Sequence, residues 1–413
     1  MSSLTNSRDS SLRERARKVV PGGMWGHMNA VALPEGYPQF FARGAGSRLW
    51  DVDGHEYVDF MCSWGPIILG HHHPEVDAAA RRQWEQGDCL NGPNEAMVEL
   101  AETLVGIVPH ADWAQFQKNG TDATTTAVTI ARAGTQRRKI LVAKGAYHGA
   151  VPWCSPSLVG VTTEDRAHIL TYTYNDAASL EQAVALAGDD LAGIIVSAFQ
   201  HDYGHDQHLP DVAFAQAARA ICDRTGAALI VDDVRAGFRL NLGGSWENVG
   251  VRPDLSAWSK AIANGFTLAA VTGNDRFRDA TSSIFTTGSF WCSAMSMAAA
   301  VATLTVLRRD DGVGHMTRLG QALRDGLAGL SRQYSMPIRQ TGPVQMPMVL
   351  FEDDADHRKG FAFCAAAVQQ GVYFHPLHNM FLSTAHTPED IARALDAAEH
   401  GFKAARAVAP AHD

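Results

Sequence analysis

Ala228-Leu-Ile-Val-Asp232-Asp-Val-Arg-Ala-Gly-Phe-Arg239 decides how the rest of this chain is read. An apolar run closing on an acid is the pattern of a short strand, buried on both faces, with a carboxylate at its carboxyl end. A second such run, Asp254-Leu-Ser-Ala-Trp-Ser-Lys260-Ala-Ile-Ala-Asn-Gly265, ends on a lysine. Outward from these two, short apolar strands are predicted at 139–143, 193–197 and 268–272. Helices are predicted between them: 122–133 with Gly134 as a left-handed cap, 211–225 with Asp211 as N-cap and Gly226 closing it, and 294–308. Helices alternating with continuously apolar strands predict an α/β fold, a mainly parallel central sheet covered on both faces. Ligands of such sheets bind at the carboxyl ends of the strands, and both Asp232 and Lys260 fall there.

The two ends of the chain read differently. The first residues are polar, a short helix is predicted from about Ser11 to Val20, and Pro21-Gly22-Gly23 stops it. Strand-like runs on either side of Asp53-Gly54 predict a hairpin. After residue 310, amphipathic helices mix with short strands at 348–351 and 372–375, the pattern of a smaller α+β domain. The expected division is residues 1–60 joining the small domain, 61–310 as the large domain and 311–413 as the rest of the small one.

With 46% hydrophobic and 19% charged residues in 413, the chain can bury a large core. Its formal charge of -9 and the lack of a basic stripe argue against nucleic acid or an anionic membrane as partner. The start has no apolar core of signal-peptide type, and no run reaches membrane-spanning length. Cys62, Cys89, Cys154, Cys222, Cys292 and Cys364 lack CxxC spacing, which suits reduced thiols in the cytoplasm.

A strand-end carboxylate and a strand-end lysine together are what a pyridoxal 5'-phosphate enzyme requires. The lysine amine forms a Schiff base with the cofactor aldehyde, and the carboxylate holds the pyridine nitrogen protonated by favouring its cationic form. Once released, Lys260 is the natural base for the substrate α-proton, provided its pKa is lowered. Phe116-Gln-Lys-Asn119-Gly120-Thr121-Asp122-Ala123 is a turn opening a helix, whose free amides suit a phosphate. In Lys144-Gly-Ala-Tyr147-His148-Gly149, flanking glycines free the backbone to lay Tyr147 or His148 against a planar, electron-poor ring. His71-His-His73 and the histidines at 201, 205 and 208 have neither the HExxH pattern nor paired cysteines, so no metal is expected. Gly44-Ala-Gly46-Ser47-Arg48 lacks the third glycine and the following helix of a dinucleotide site.

Taken in order, these blocks resemble the class III aminotransferases of the fold type I pyridoxal phosphate enzymes, and among them the glutamate-1-semialdehyde aminomutase subgroup. The clearest stretches are Val20-Pro-Gly-Gly23, Cys62-Ser-Trp64-Gly-Pro66-Ile-Ile-Leu-Gly70-His71, Asn119-Gly-Thr-Asp-Ala123, Tyr147-His-Gly149, Asp232-Asp-Val-Arg-Ala-Gly-Phe-Arg239, Ser259-Lys260 and Leu382-Ser-Thr-Ala-His386-Thr. The resemblance implies a homodimer with active sites at its interface. It implies that Gly120 and Thr121 hold the phosphate, Tyr147 stacks on the ring, Val234 packs on the opposite face, Asp232 pairs with the ring nitrogen and Lys260 carries the aldehyde. His148, beside Tyr147, is placed with the cofactor. Ser289 falls where the family has a threonine reaching the phosphate across the dimer, and Ser63 and Trp64 would line the substrate side.

Departures from the family pattern carry information. Ala198-Phe199-Gln200-His201 replaces the usual Glu-Pro loop, and Asn29 stands where the aminomutase has a carboxylate-binding arginine. Without that bidentate partner there is less reason to prefer an α-amino acid-like substrate. Within the family, Ala111-Asp-Trp-Ala, Thr287-Gly-Ser-Phe-Trp291 and His375-Pro-Leu-His-Asn-Met-Phe-Leu382 look most like the branch that deaminates hydrolysed fumonisin. That likeness implies a long aliphatic primary amine as donor and pyruvate as acceptor, in a ping-pong cycle. Of Arg235 and Arg239, one is expected to meet the carboxylate of the 2-oxo acid, with Arg239 preferred. The alternative on the same scaffold is an isomerase, either a semialdehyde aminomutase or an amino acid racemase.

Overall fold

The apolar run ending in Asp232 is an inner strand of a seven-stranded sheet. The computed structural model describes residues 6–408. Its strands are β1 (Phe41–Ala45), β2 (Arg48–Asp51), β3 (Glu56–Asp59), β4 (Trp113–Gln117), β5 (Lys139–Ala143), β6 (Ile169–Tyr172), β7 (Leu191–Ser197), β8 (Ala228–Asp232), β9 (Leu255–Trp258), β10 (Ala269–Gly273), β11 (Ile338–Thr341), β12 (Met348–Phe351) and β13 (Val372–Tyr373). The large sheet runs β4-β10-β9-β8-β7-β5-β6. Pairs from β9 through to β6 are parallel, whereas β10 is antiparallel to both β9 and β4.

Period-two alternation gives this sheet two apolar faces. Leu141, Ile194, Val196, Leu229 and Val231 pack under the helices Ala177–Ala187 and Val212–Thr225. Ile140, Val142, Ile195, Ala228 and Ile230 pack under the helix Gly120–Thr135 through Ala123, Ala127, Ile130 and Ala131. The result is a three-layer α/β unit, with each buried Ile or Leu contributing about 1.5–3 kcal/mol.

One expectation about that helix is corrected. Gly134 is inside it, and the left-handed residue is Gln136, at φ 56°. The glycine is there for packing: a Cβ would lie 2.6 Å from the Phe277 ring. Gly226, in contrast, does close its helix in the left-handed region, at φ 73°.

A second, four-stranded sheet has the order β1-β2-β3-β13 and joins the first strands of the chain to one near its end. The Asp53-Gly54 turn connects antiparallel β2 and β3, and Gly54 has φ 93°. The Asp51 carboxylate gathers this corner, accepting from the Tyr57 hydroxyl at 2.7 Å and the Asp53 and His55 amides at 2.9 Å. β13 pairs in parallel with β3, which brings residues 372–382 beside the Cys62–Trp64 segment. Among the described residues, no helix is long and apolar enough to cross a membrane.

Candidate active site

Alternation along β8 puts Asp232 on the same face as Ala228 and Ile230, the face covered by the Gly120–Thr135 helix. The amino end of that helix therefore opens beside the carboxylate. A cavity of about 320 Å³ occupies this corner and is lined by Gly120, Thr121, Tyr147, His148, Asp232, Val234 and Lys260 among others.

The helix start is held by a capping box: Asn119 Oδ1 accepts from the Asp122 amide at 3.2 Å, and Asp122 Oδ2 accepts from the Asn119 amide at 3.1 Å. The Asn-Gly-Thr-Asp turn thus preserves the geometry while leaving the Gly120 and Thr121 amides at the cavity wall, where an anion can take them. Gly120 has to be glycine, since a Cβ there would lie 2.6 Å from Val234 Cγ1. Gly149, at φ 138°, is equally confined; its Cβ would meet Thr121 Oγ1 at 2.8 Å.

Asp232 is fixed from two sides. Its Oδ2 lies 2.6 Å from His148 Nδ1, and its Oδ1 accepts from the Val234 amide at 3.1 Å. His148 is held in turn by the Thr124 hydroxyl, which donates to its carbonyl at 2.6 Å. Its Nε2 is buried without a partner. His148 thus sits behind the carboxylate, while Tyr147, 42% exposed, offers its ring to the cavity.

Lys260 follows β9 with φ 45°, a left-handed conformation costing a non-glycine residue of order 1–3 kcal/mol. Burial, joined by the nearby Arg235 cation and opposed by Asp232, pushes its amine down to about 8. Cys62, Ser63 and Trp64, expected on the substrate side, are three successive non-glycine residues with φ of 48°, 55° and 65° and are not in the lining of the cavity. Asp59 holds this strained turn by accepting the Met61 and Cys62 amides at 2.8 and 2.9 Å. Ser63 is exposed, and Trp64 packs edge-on against His27, His375 and His378, with ring centroids 4.7, 5.3 and 5.0 Å away. Ser289 is exposed and lies outside the lining of this chain's own cavity.

The two arginines differ sharply, and the preference for Arg239 needs correction. Arg239 is fully buried, and its guanidinium donates to the carbonyls of Gly65 at 2.9 Å, Ile67 at 3.2 Å and Leu382. It ties backbone together behind the site and does not line the cavity. Arg235 does line it, anchored at one nitrogen by His378 Nε2 at 3.0 Å and Asn379 Oδ1 at 2.9 Å. His378 Nδ1 faces the Asn379 carbonyl at 2.7 Å, so Nδ1 carries the proton and Nε2 is free to accept. His378 and Asn379 lie in a stretch picked out by the family likeness but given no role there, and nothing in the sequence marked Thr124. His201 was visible as a rejected metal ligand and as a replacement in the Glu-Pro loop, and it lines the cavity.

Asn29 is used locally, donating to the Met24 carbonyl at 2.9 Å and accepting from the Val31 amide at 3.0 Å. The loop histidines His71 and His72 pair with Asp59 and Asp77, both at 2.9 Å. No group of three or more His, Cys, Asp or Glu among the described residues is set to hold a metal ion.

An amide-lined helix start, a glycine that lets Val234 close on it, a buried carboxylate and a lysine of lowered basicity fit pyridoxal 5'-phosphate. Fold and site define a pyridoxal phosphate-dependent enzyme of fold type I. The family model for class III aminotransferases matches residues 32–397. Aminopentol aminotransferase from Sphingopyxis macrogoltabida is 50% identical, over 96% of this chain and 94% of that protein. Glutamate-1-semialdehyde 2,1-aminomutase from Nitratidesulfovibrio vulgaris is 34% identical, over 95% and 99%. A solved structure, the PLP internal aldimine form of the FumI protein from Sphingopyxis sp. MTA144, superposes with a TM-score of 0.96 at 48% identity, covering 98% of this chain and 99% of that one. The chain belongs to the class III aminotransferases.

Proposed function

We propose that this aminotransferase moves the amino group of a primary aliphatic amine, one without an adjacent carboxylate, to a 2-oxo acid such as pyruvate, in two half-reactions sharing one site. The cofactor, when bound, carries the amino group between the halves and withdraws electrons from the substrate carbon. Gly120 and Thr121 would hold its phosphate, Tyr147 and Val234 its two ring faces, and Asp232, backed by His148, its ring nitrogen. Lys260 Nζ takes the proton from the amine-bearing carbon and returns it in the second half-reaction. Arg235 receives the carboxylate of the oxo acid, because it lines the cavity while Arg239 is buried behind it and bonded to carbonyls.

The observation that carries this reading is the meeting of Lys260, Asp232 and the Gly120 helix start in one cavity. The amine side is supported by Asn29, which replaces a carboxylate-binding arginine, and by the half-identical relative named for an aminopentol. A homodimer, with Ser289 of one subunit reaching the other's phosphate, accounts for the exposure of Ser289 and of Phe285 and Phe290 around it, the last two 92% and 59% exposed. Six unpaired cysteines suit the cytoplasm. A panel of amines with pyruvate, followed by alanine formation, tests the reaction. Consumption of amine without any oxo acid would instead indicate an isomerase.

A further inference from the structure

After β9 the chain makes a short helical turn, Lys260–Ala263, whose Ala261, Ile262 and Ala263 side chains are buried in the main core. Asn264 ends the turn at φ 45°, and Gly265 follows at φ 98°. Asparagine tolerates this left-handed conformation better than most residues. Its side chain, however, does more than tolerate it.

Asn264 is 5% exposed and reaches across to residues 68–70, far away in sequence. Its Oδ1 accepts the Ile68 and Leu69 amides at 2.9 and 2.8 Å, and its Nδ2 donates to the Gly70 carbonyl at 2.9 Å. Two glycines let the backbones close along the same seam. A Cβ on Gly265 would lie 2.8 Å from Ile67 Cδ1, and one on Gly65 would lie 3.2 Å from Lys260 Cδ. Gly65 therefore rests on the methylenes of the lysine, and its neighbour Pro66 lines the cavity beside it.

We propose that Asn264 is a positioning residue for Lys260: it fastens the 65–70 loop to the lysine's own turn, and the loop so held covers the lysine stem and shields it from water. Burial is the largest cause of the lowered basicity of that amine, so the seam governs how much of it is neutral and able to act. Arg235 and Asp232 also act on the amine, and His27 and His201 lie within its field. Asn264 carries no charge. Replacing it with another neutral residue leaves those charges as they are and alters only the access of solvent.

The test mixes full-length apoenzyme with pyridoxal 5'-phosphate and follows cofactor capture by absorbance across pH. Attack on the aldehyde needs the neutral amine, so the rate rises through the pKa of Lys260, near 8 in the parent. Asn264→Gly suits φ 45° and drops all three side-chain bonds. Its midpoint is expected to rise by about one pH unit or more towards the ordinary lysine value, and the acid limb of kcat in the holoenzyme to move with it. Asn264→Ser, which keeps a shorter acceptor, is expected to shift less. Arg239→Met loses bonds to the Gly65 and Ile67 carbonyls without cutting the seam, and is expected to lower stability at an unchanged midpoint. A midpoint unmoved in Asn264→Gly, or moved equally in Arg239→Met, overturns the positioning role. If the glycine variant does not fold, the serine variant decides, and a midpoint equal to the parent's overturns the role. The inference rests on Lys260 as the cofactor lysine; capture by the parent at a different lysine overturns that assignment instead.

Discussion

The floor of the cavity and its rim are built on different principles. The floor consists of strand ends and a helix start: Asp232 closes β8, Lys260 follows β9, and Gly120 opens the helix packed over both. Sheet register sets the spacing of these groups, and the hydrophobic faces beneath them fix that register. The rim consists of loops from far apart in the chain: His201 and Arg235 line it, and Arg235 is held by His378, against which Trp64 packs, and by Asn379. Chemistry common to a family belongs on the rigid part. Choice of substrate belongs on the part where a replaced side chain does not disturb the sheet.

The largest effect is expected at the floor. Lys260→Ala removes both the covalent anchor and the base, and kcat with any amine should fall on the order of 10⁴-fold. Borohydride treatment of the parent followed by peptide mapping should label Lys260 and leave the variant unlabelled. A label at another lysine would break the assignment of the floor.

Arg235 and Arg239 sharpen the contrast within one segment. Arg235→Met should raise the KM for pyruvate by about 10–100-fold, losing a charged hydrogen-bond partner, and leave the KM for the amine much less changed. It should also move the acid limb of kcat upward. Lys260 works as a base only when neutral, so activity rises through its pKa near 8, and removing a neighbouring cation lets that pKa return towards 10.5. Arg239→Met should do neither. It leaves the carbonyls of Gly65 and Ile67 unsatisfied and should cost about 2–4 kcal/mol of stability, read as a lower denaturation midpoint at unchanged pyruvate KM. Equal pyruvate effects in the two variants would erase the distinction.

The floor was legible in the sequence because its signals are local. Apolar runs closing on Asp232 and Lys260 announce buried strands with chemistry at their tips, and Asn119-Gly-Thr-Asp reads as a turn opening a helix, which the structure starts at Gly120 with a capping box. The rim was not, since its partners are set by tertiary contact. Arg239 looked the better ligand from the chain alone; only the return of residues 379–382 beside Gly65 shows that backbone carbonyls had claimed it. Gly134 misled for a related reason, because a glycine near a helix end reads as a cap unless the Phe277 ring pressing on it is known. The antiparallel β10 was likewise hidden, as strand direction leaves no mark in a short apolar run.

The smallest effect expected lies under the floor, at Asp233. Its carboxylate is buried, accepts the Ser245 amide at 3.0 Å through Oδ2, and has no partner at Oδ1. Burial raises its pKa from 3.8 to about 6. The native state therefore holds this proton more tightly than the unfolded chain does. The stability that protonation confers is complete below pH 3.8 and is lost as the pH rises through about 6. Asp233→Asn keeps an acceptor for Ser245 and removes the charge, so it should stabilise the protein at pH 8 by up to about 2–3 kcal/mol and by almost nothing at pH 4. Thermal melts of both proteins across that range read the difference directly. A gain of the same size at both pH values would mean that the side chain, and not its charge, strains the strand end, and that the floor tolerates a buried anion better than its geometry implies.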